Sequence, residues 1–365
     1  MSLVAGRRPK ASRKPVGILP ERAGNAFSSV VPNAGARFAC DSPPGGGETE
    51  GNLSASEVHM QAVRIHRFGP PEVVVVEDMQ VPSPGPREVL VSAAAAGVGP
   101  WDALIREGRS KVSPQPPLTL GSDLAGVVEA LGTDVSEFKV GNEVYGVTNP
   151  QFCGAQAEHA VASAGMIALK PPSLNYLEAA SAPVIAVTAW QMLFEYAQAG
   201  TGDTVMIVGA AGNVGAYAVR MAVNAGMRVV AVGRAEDTEM LRKLGAGSVI
   251  DSTSPDFEKH LPQVDSILDT VGGPTLDQCL NALKYGGRLV SSVSTQPLPQ
   301  RMDTQAIFFY AEVTTARLRT LTALFESGGI SARVGSVLPL AEARRAHEML
   351  GGAPHLPGKI VLRVS

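Results

Sequence analysis

The chain is poor in the residues that staple small secreted folds or hold metal clusters. Its 365 residues include three cysteines, Cys40, Cys153 and Cys279, and no CxxC pair. That excludes a disulfide framework and a cysteine-rich structural zinc site. Charge of one sign is also lacking: Lys+Arg 31 against Asp+Glu 34 leaves −3. So small a value gives no global field for nucleic acid or an anionic membrane. No apolar run reaches the roughly 18 residues needed to cross a bilayer. The nearest, Ala179 to Phe194, contains Ser181, Pro183, Thr188 and Gln191 and reads as a buried core helix.

What is present describes a globular protein. Apolar residues make up 45% and charged residues 18%, enough for a sizeable core spread over about two domains. Residues 1–58 stand apart. Arg7, Arg8, Lys10, Arg13 and Lys14 precede the first acid, Glu21, and Pro43-Pro44-Gly45-Gly46-Gly47 follows. No helical or strand period persists there, so a disordered extension is expected. As a plain extension it implies a cytoplasmic protein. The alternative is an organelle transit peptide, against which Pro15 and Pro20 interrupt any long amphipathic helix.

From Met60 the rhythm is short strands between Gly and Pro turns, as in Gln61-Ala62-Val63-Arg64-Ile65, Glu88-Val89-Leu90-Val91 and Leu124-Ala125-Gly126-Val127-Val128. An irregular β-barrel fits this spacing. Near residue 175 the rhythm becomes β-α-β-α. Helices are expected at Tyr176 to Ala180, Ala186 to Ala199, Val214 to Asn224, Thr238 to Leu244 and Thr275 to Leu283. Strands are expected at 205–208, 228–232, 248–250, 266–268 and 288–290. This alternation describes an α/β fold with a doubly wound parallel sheet. The last 50 residues predict helices at 317–327 and 341–350 and strands at 332–334 and 360–362.

The strand 205–208 ends in Gly209-Ala210-Ala211-Gly212-Asn213-Val214-Gly215, immediately before a helix. Small residues let the backbone approach a pyrophosphate, and a helix N-terminus offers free N–H groups and a positive dipole end. Between two apolar strands the pattern points to a dinucleotide site. At the end of the next strand, NAD sites place an acid against the ribose 2′-OH. Here Val232 is followed by Gly233-Arg234, with Glu236 and Asp237 beyond the turn. An arginine there has the charge for a 2′-phosphate, so NADPH is the expected cofactor; a solvated surface arginine is the plain alternative.

With these features in hand, the body resembles the medium-chain dehydrogenase/reductase superfamily, and within it the zinc-free, zeta-crystallin-like quinone oxidoreductases. The resemblance runs from about Met60 to Ser365. It is carried by Ala96-Gly97-Val98, Phe138 through Gly146, Thr188-Ala189-Trp190, Gly202-Asp203, Leu268 through Gly273, Gly286 through Val290 and Gly358-Lys359-Ile360-Val361-Leu362. It implies a GroES-like catalytic domain over 59–183 plus 310–365 and a Rossmann NADP-binding domain over 184–309. Carried over by position, Ala211, Gly212, Asn213, Val214, Gly215 and Arg234 would hold the adenylate side. Thr188, Val271, Gly272, Ser294 and Lys359 would lie along the ribose and nicotinamide. A homodimer is implied as well.

The chain also departs from its relatives. Zinc-dependent members have ligands where this sequence reads Gly99-Pro100-Trp101-Asp102 and Gly121-Ser122-Asp123. Neither place offers Cys or His, and a catalytic zinc needs about three side-chain ligands, so no metal is expected. Many quinone reductases have Asn at the place of Gly99 and Tyr at that of Leu104. Gly99, Trp101 and Asp102 are therefore the substrate-pocket candidates. The plainer readings are a barrel core aromatic for Trp101 and a turn or cap carboxylate for Asp102. No catalytic acid–base residue is identified.

These features lead to an NADPH-dependent, zinc-independent oxidoreductase. It would pass hydride to an electrophilic small molecule, a quinone or an α,β-unsaturated carbonyl, as a quinone or enone reductase does. Such substrates accept hydride without a Lewis acid. The alternative is a binding protein that keeps the NADPH fold with weak turnover. Neither a nucleic-acid nor a membrane partner is expected.

Overall fold

The structure, a computed structural model, describes residues 58–112, 114–293 and 304–365. The extension expected over 1–58, save Val58, and the cofactor candidate Ser294 lie outside the described residues.

Six strands form one parallel sheet in the spatial order Ser248–Asp251, Arg228–Gly233, Thr204–Val208, Val264–Asp269, Leu283–Ser291, Gln305–Phe308. Counted along the chain this is the doubly wound order 3-2-1-4-5-6. Thr204–Val208 is buried at every position because both faces of the sheet are covered. Val205 and Ile207 pack with helices Pro183–Trp190 and Asn213–Asn224. Met206 and Val208 face the opposite layer with Phe257, Leu276 and Cys279.

A second sheet is built around the long strand Glu88–Val98. It pairs antiparallel with Asp123–Leu131, His159–Ser163 and Lys359–Arg363. Asp123–Leu131 continues to Glu143–Val147 and Ile167–Leu169, and Val334–Pro339 closes the far side against Lys359–Arg363. With the small sheet Val75–Gln80, His59–Ile65, Leu118–Thr119 this makes the irregular GroES-like barrel. The molecule is thus α/β, a Rossmann-type parallel sheet joined to a barrel. Helix Pro183–Trp190 is buried throughout and lies in one apolar cluster with Ala95, Ala125 and Tyr145 of the barrel and Val205 and Ile207 of the sheet. Helix Thr315–Glu326 is pinned to the barrel by the Tyr145 hydroxyl, which donates to the Leu318 carbonyl at 2.8 Å.

Several elements differ from expectation, each for a local reason. The helix expected over 186–199 begins at Pro183, where a proline fits the first turn, and continues past Trp190 as a π-helix, Gln191–Tyr196. The helix expected over 275–283 runs Gly273–Cys279, because Leu283 already pairs with Val264 in the sheet. The strand expected at 332–334 is Val334–Pro339, with register set by Val334 opposite Lys359. Helix Pro100–Arg106 was not expected at all, although Pro after the N-cap and Asp102 at its third position are a helix-start signal.

Candidate active site

The nucleotide side is made of backbone. Gly209 ends the strand with φ +78°, and a Cβ there would meet Thr270 Oγ1 at 2.4 Å and Val271 Cγ2 at 2.5 Å. The Gly212 N–H donates to the Gly209 carbonyl at 3.0 Å. A Cβ on Gly215 would lie 2.2 Å from that same carbonyl oxygen and 2.8 Å from Ala210 Cα. The loop closes so tightly that only glycine fits. Gly212 stays exposed and Ala211, Asn213 and Val214 half-exposed at the start of helix Asn213–Asn224. A loop of mostly small residues leading into a helix N-terminus fits a pyrophosphate.

The adjoining loop is fixed by Asp269, a residue the sequence reading passed over. Its buried carboxylate accepts the N–H groups of Val271 at 3.0 Å and Gly272 at 2.7 Å, and the Ser291 hydroxyl at 2.7 Å. Val271 is thereby held exposed beside the cradle. Thr188 is buried in helix Pro183–Trp190 and donates its hydroxyl to the Val184 carbonyl at 2.7 Å. What remains for a ligand is its capacity to accept.

Arg234 is exposed at the end of Arg228–Gly233, but not free of acids as its sequence neighbourhood suggests. Its guanidinium lies 3.4 Å from Glu236, and its N–H donates to Asp237 Oδ2 at 3.3 Å. The acids placed beyond the turn fold back onto it. Asp251, at the end of the adjacent strand, is held below the usual carboxylate range by Thr253, with the Ser254 hydroxyl and the Ala235 N–H adding to this.

The barrel side is made of side chains. Asp102 is fully buried, and its Oδ2 accepts the Gly99 N–H at 2.7 Å, capping helix Pro100–Arg106. Trp101 folds back over Gly99; a Cβ on Gly99 would meet the indole at 2.4–2.6 Å. The indole Nε1–H donates to Ser122 Oγ at 3.0 Å. Below the ring, 3.9 Å from its centroid, sits the Lys359 ammonium, which pairs with Asp123 Oδ2 at 2.9 Å. Asp123 Oδ1 accepts the Val184 N–H at 3.0 Å and so ties the cluster to the helix of Thr188. Gly97 makes room for all this: a Cβ there would strike Ala180 O at 2.6 Å and Asp123 Cβ at 2.8 Å.

Burial dominates the electrostatics. It raises the Asp102 carboxyl to about 7, with Lys359 opposing, and raises Asp123 also, again opposed by Lys359. Burial thus favours the protonated form of both carboxyl groups, and the Lys359 ammonium favours the ionised form.

The Lys359 ammonium, 1% exposed, is engaged by Asp123 and the Trp101 ring. Asp102 serves as the cap of helix Pro100–Arg106. Trp101 is only partly buried and packs against the edge of Phe152, their centroids 6.5 Å apart. The structure brings Gly99, Trp101, Asp102 and Lys359 into one cluster and adds Ser122 and Asp123. The signal for the last two was their place in Gly121-Ser122-Asp123. Among the described residues no group of three or more His, Cys, Asp or Glu is placed to hold a metal ion.

The family model described as alcohol dehydrogenase GroES-like domain matches residues 85–194, and that described as zinc-binding dehydrogenase matches 244–362. The quinone oxidoreductase of Sus scrofa is 30% identical over 329 residues, 85% of this chain and 99% of that protein. The mitochondrial NAD(P)H oxidoreductase RTN4IP1 of Mus musculus is 36% identical over 273 residues, 68% of this chain and 69% of that protein. The solved quinone oxidoreductase of Coxiella burnetii superposes with a TM-score of 0.78 at 30% identity, covering 84% of this chain and all of that one. With its barrel, its 3-2-1-4-5-6 sheet and its glycine cradle, the chain belongs to the medium-chain dehydrogenase/reductase superfamily, in the quinone oxidoreductase group.

Proposed function

We propose that the protein reduces a quinone, or the β-carbon of an α,β-unsaturated carbonyl, with NADPH and without zinc. The carrying observation is the pairing of a nucleotide cradle of mostly small residues, Gly209–Gly215, with a barrel site whose metal-ligand positions are Gly99 and Ser122. Gly99 has no donor atom, and the Ser122 hydroxyl is engaged by Trp101. The similarity to quinone oxidoreductases supports the substrate class. Bound in the cradle, the cofactor supplies hydride from C4 of its nicotinamide.

The chain's own residues bind and orient. The loop and the N-terminus of helix Asn213–Asn224 take the pyrophosphate. Val271 and Gly272, held by Asp269, and the acceptor oxygen of Thr188 border the ribose and nicotinamide. Arg234 meets the 2′-phosphate, for which it must leave Glu236. Trp101 and Leu104 present apolar surface to a planar substrate. One hydride and one proton convert a quinone to its hydroquinone, and solvent supplies the proton. Among the described residues of the barrel site, neither Gly99 nor the engaged Ser122 offers a group to polarise an alcohol oxygen, so simple alcohols should be poor substrates.

A panel of quinones, enones and alcohols with both cofactors tests this, using deuteride at C4. Label should reach an enone carbon, and NADPH should bind on the order of tenfold or more tighter than NADH. Fast alcohol oxidation with inert quinones and enones would overturn the reaction. Tight NADPH binding with no turnover on any substrate would favour the binding-protein reading. Equal affinity for both cofactors would show that Arg234 does not select between them.

The assembly proposed is a homodimer, which sedimentation of the full chain tests. Among the described residues no helix is long and apolar enough to cross a membrane. Cytoplasmic residence is proposed, and the mitochondrial relative keeps the transit-peptide reading of 1–58 in play. Imaging the full chain beside one starting at Met60 separates the two.

A further inference from the structure

The barrel side sends one cation to the glycine loop. Arg333 lies just before strand Val334–Pro339, and its carbonyl accepts the Lys359 N–H at 2.8 Å, which fixes its backbone to the strand of the buried ammonium. Its half-buried guanidinium reaches the nucleotide side, where Nη1 donates to the Ala211 carbonyl at 3.5 Å. That is the outer limit of a hydrogen bond, and a guanidinium carries five N–H donors. This long contact is the only hydrogen bond of its side chain among the described residues. Burial pulls its pKa below the ordinary arginine value, while Tyr217 and Asp237 oppose this through space. Asp237 is the acid that also accepts the Arg234 N–H.

A half-buried guanidinium with one long hydrogen bond thus stands at Ala211, the third residue of the cradle, two residues before helix Asn213–Asn224. We propose that Arg333 is a ligand for a phosphate on the adenosine half of the cofactor, supplied from the barrel side so that the bound nucleotide ties barrel and parallel sheet together. The inference rests on the cofactor reading above. A guanidinium can give a phosphate two parallel charge-assisted hydrogen bonds, which a lysine ammonium cannot reproduce. Neither glycine spacing nor strand-end chemistry points to Arg333, because it lies more than 100 residues beyond the loop.

Calorimetric titration of the full chain with NADPH, NADH, 2′,5′-ADP and ADP-ribose tests it, comparing the parent with Arg333→Gln and Arg333→Lys. Arg333→Gln should bind NADPH on the order of tenfold or more weakly, with its ligand-free melting temperature unchanged, and Arg333→Lys should recover part of the loss. Loss confined to NADPH and 2′,5′-ADP assigns the guanidinium to the 2′-phosphate. Loss across all four ligands assigns it to the adenosine 5′-phosphate, the one they share. Both outcomes support a phosphate ligand. Unchanged affinity in both variants, beside a parent that binds NADPH, overturns the inference alone. A parent that binds none of the four overturns the cofactor reading itself. Should Arg333→Gln fail to fold, Arg333→Lys carries the test: full parental affinity for all four ligands would overturn the proposal.

Discussion

On the nucleotide side, the candidate site is a loop of contiguous backbone whose shape comes from the absence of side chains. Gly209, Gly212 and Gly215 close on one another, and no residue from Gly209 to Gly215 carries a titratable side chain. On the barrel side the site is a knot of charged and aromatic side chains from four distant segments, 99–102, 122–123, 184 and 359. The first kind of site depends on fit and the second on charge balance. Substitutions should therefore fail in different ways on the two sides.

The largest effect is expected from breaking the charge balance. Lys359→Met removes the cation paired with Asp123 while leaving two fully buried carboxyl groups. Removing one partner of a buried pair costs about 3–5 kcal/mol, since the other charge stays desolvated. Denaturant unfolding should show a loss of that size, and the indole should lose its ammonium contact with a change in tryptophan fluorescence. A loss below about 1 kcal/mol would mean that water reaches Asp123 and that the barrel cluster is no tighter than a surface pair.

The same contrast explains what could be read from the sequence. The cradle was legible because its parts are neighbours in the chain, between an apolar strand and a helix whose bounds follow from periodicity. The parallel sheet followed from β-α alternation. A cap role for Asp102 is among the readings the sequence offers, whereas the partners of Trp101 and Lys359 are not legible there. Nothing in the spacing says that Lys359 turns inward to Asp123, 236 positions away in the sequence, or that Trp101 lies back on Gly99. Arg234 shows the same limit at short range. Glu236 and Asp237 were visible, yet only the turn geometry brings Asp237 onto the Arg234 N–H. Helix Pro100–Arg106 went unread because Gly99-Pro100 resembles a turn until the Asp102 cap is recognised.

A pH-dependent effect comes next, and it should belong to the barrel side alone. Burial first, against the pull of Lys359, raises the Asp102 carboxyl from 3.8 to about 7. The folded chain then keeps a proton that the unfolded chain releases, so the unfolded state binds fewer protons across that interval. Stability contributed by this group is full below about pH 4, falls as pH rises to about 7, and is level above. The fall should be on the order of 2–4 kcal/mol, shared with Asp123, whose carboxyl is raised too. Asp102→Asn keeps an oxygen to accept the Gly99 N–H and removes the titration. It should match the parent near pH 4–5 and exceed it near pH 8. A stability difference between variant and parent that stays constant over that range would show that Asp102 does not hold the proton.

The smallest effect on the fold, and the sharpest test of the contrast, comes from adding one methyl group on each side. On Gly215 the new Cβ meets backbone, Gly209 O at 2.2 Å and Ala210 Cα at 2.8 Å, so the loop itself must move. Gly215→Ala should cost about 1–3 kcal/mol by overpacking and weaken nucleotide binding on the order of tenfold. On Gly99 the nearest atoms to the new Cβ are those of the Trp101 indole, at 2.4–2.6 Å. That ring is partly exposed and can swing outward, at the loss of one hydrogen bond to Ser122 and one contact with Lys359. The indole hydrogen bond contributes about 1 kcal/mol, and the cation–π contact about 0.5–2 kcal/mol. Part of both is regained if the swing is small, so Gly99→Ala should cost about 1 kcal/mol or less. Its affinity for NADPH should stay within about twofold of the parent, because the cradle is untouched. Turnover of a quinone should change severalfold, because the displaced indole alters the surface offered to a planar ring. Calorimetry with NADPH, beside initial rates with a small quinone, reads both quantities on the same protein. Weakened NADPH binding with unchanged quinone turnover would place Gly99 on the nucleotide side.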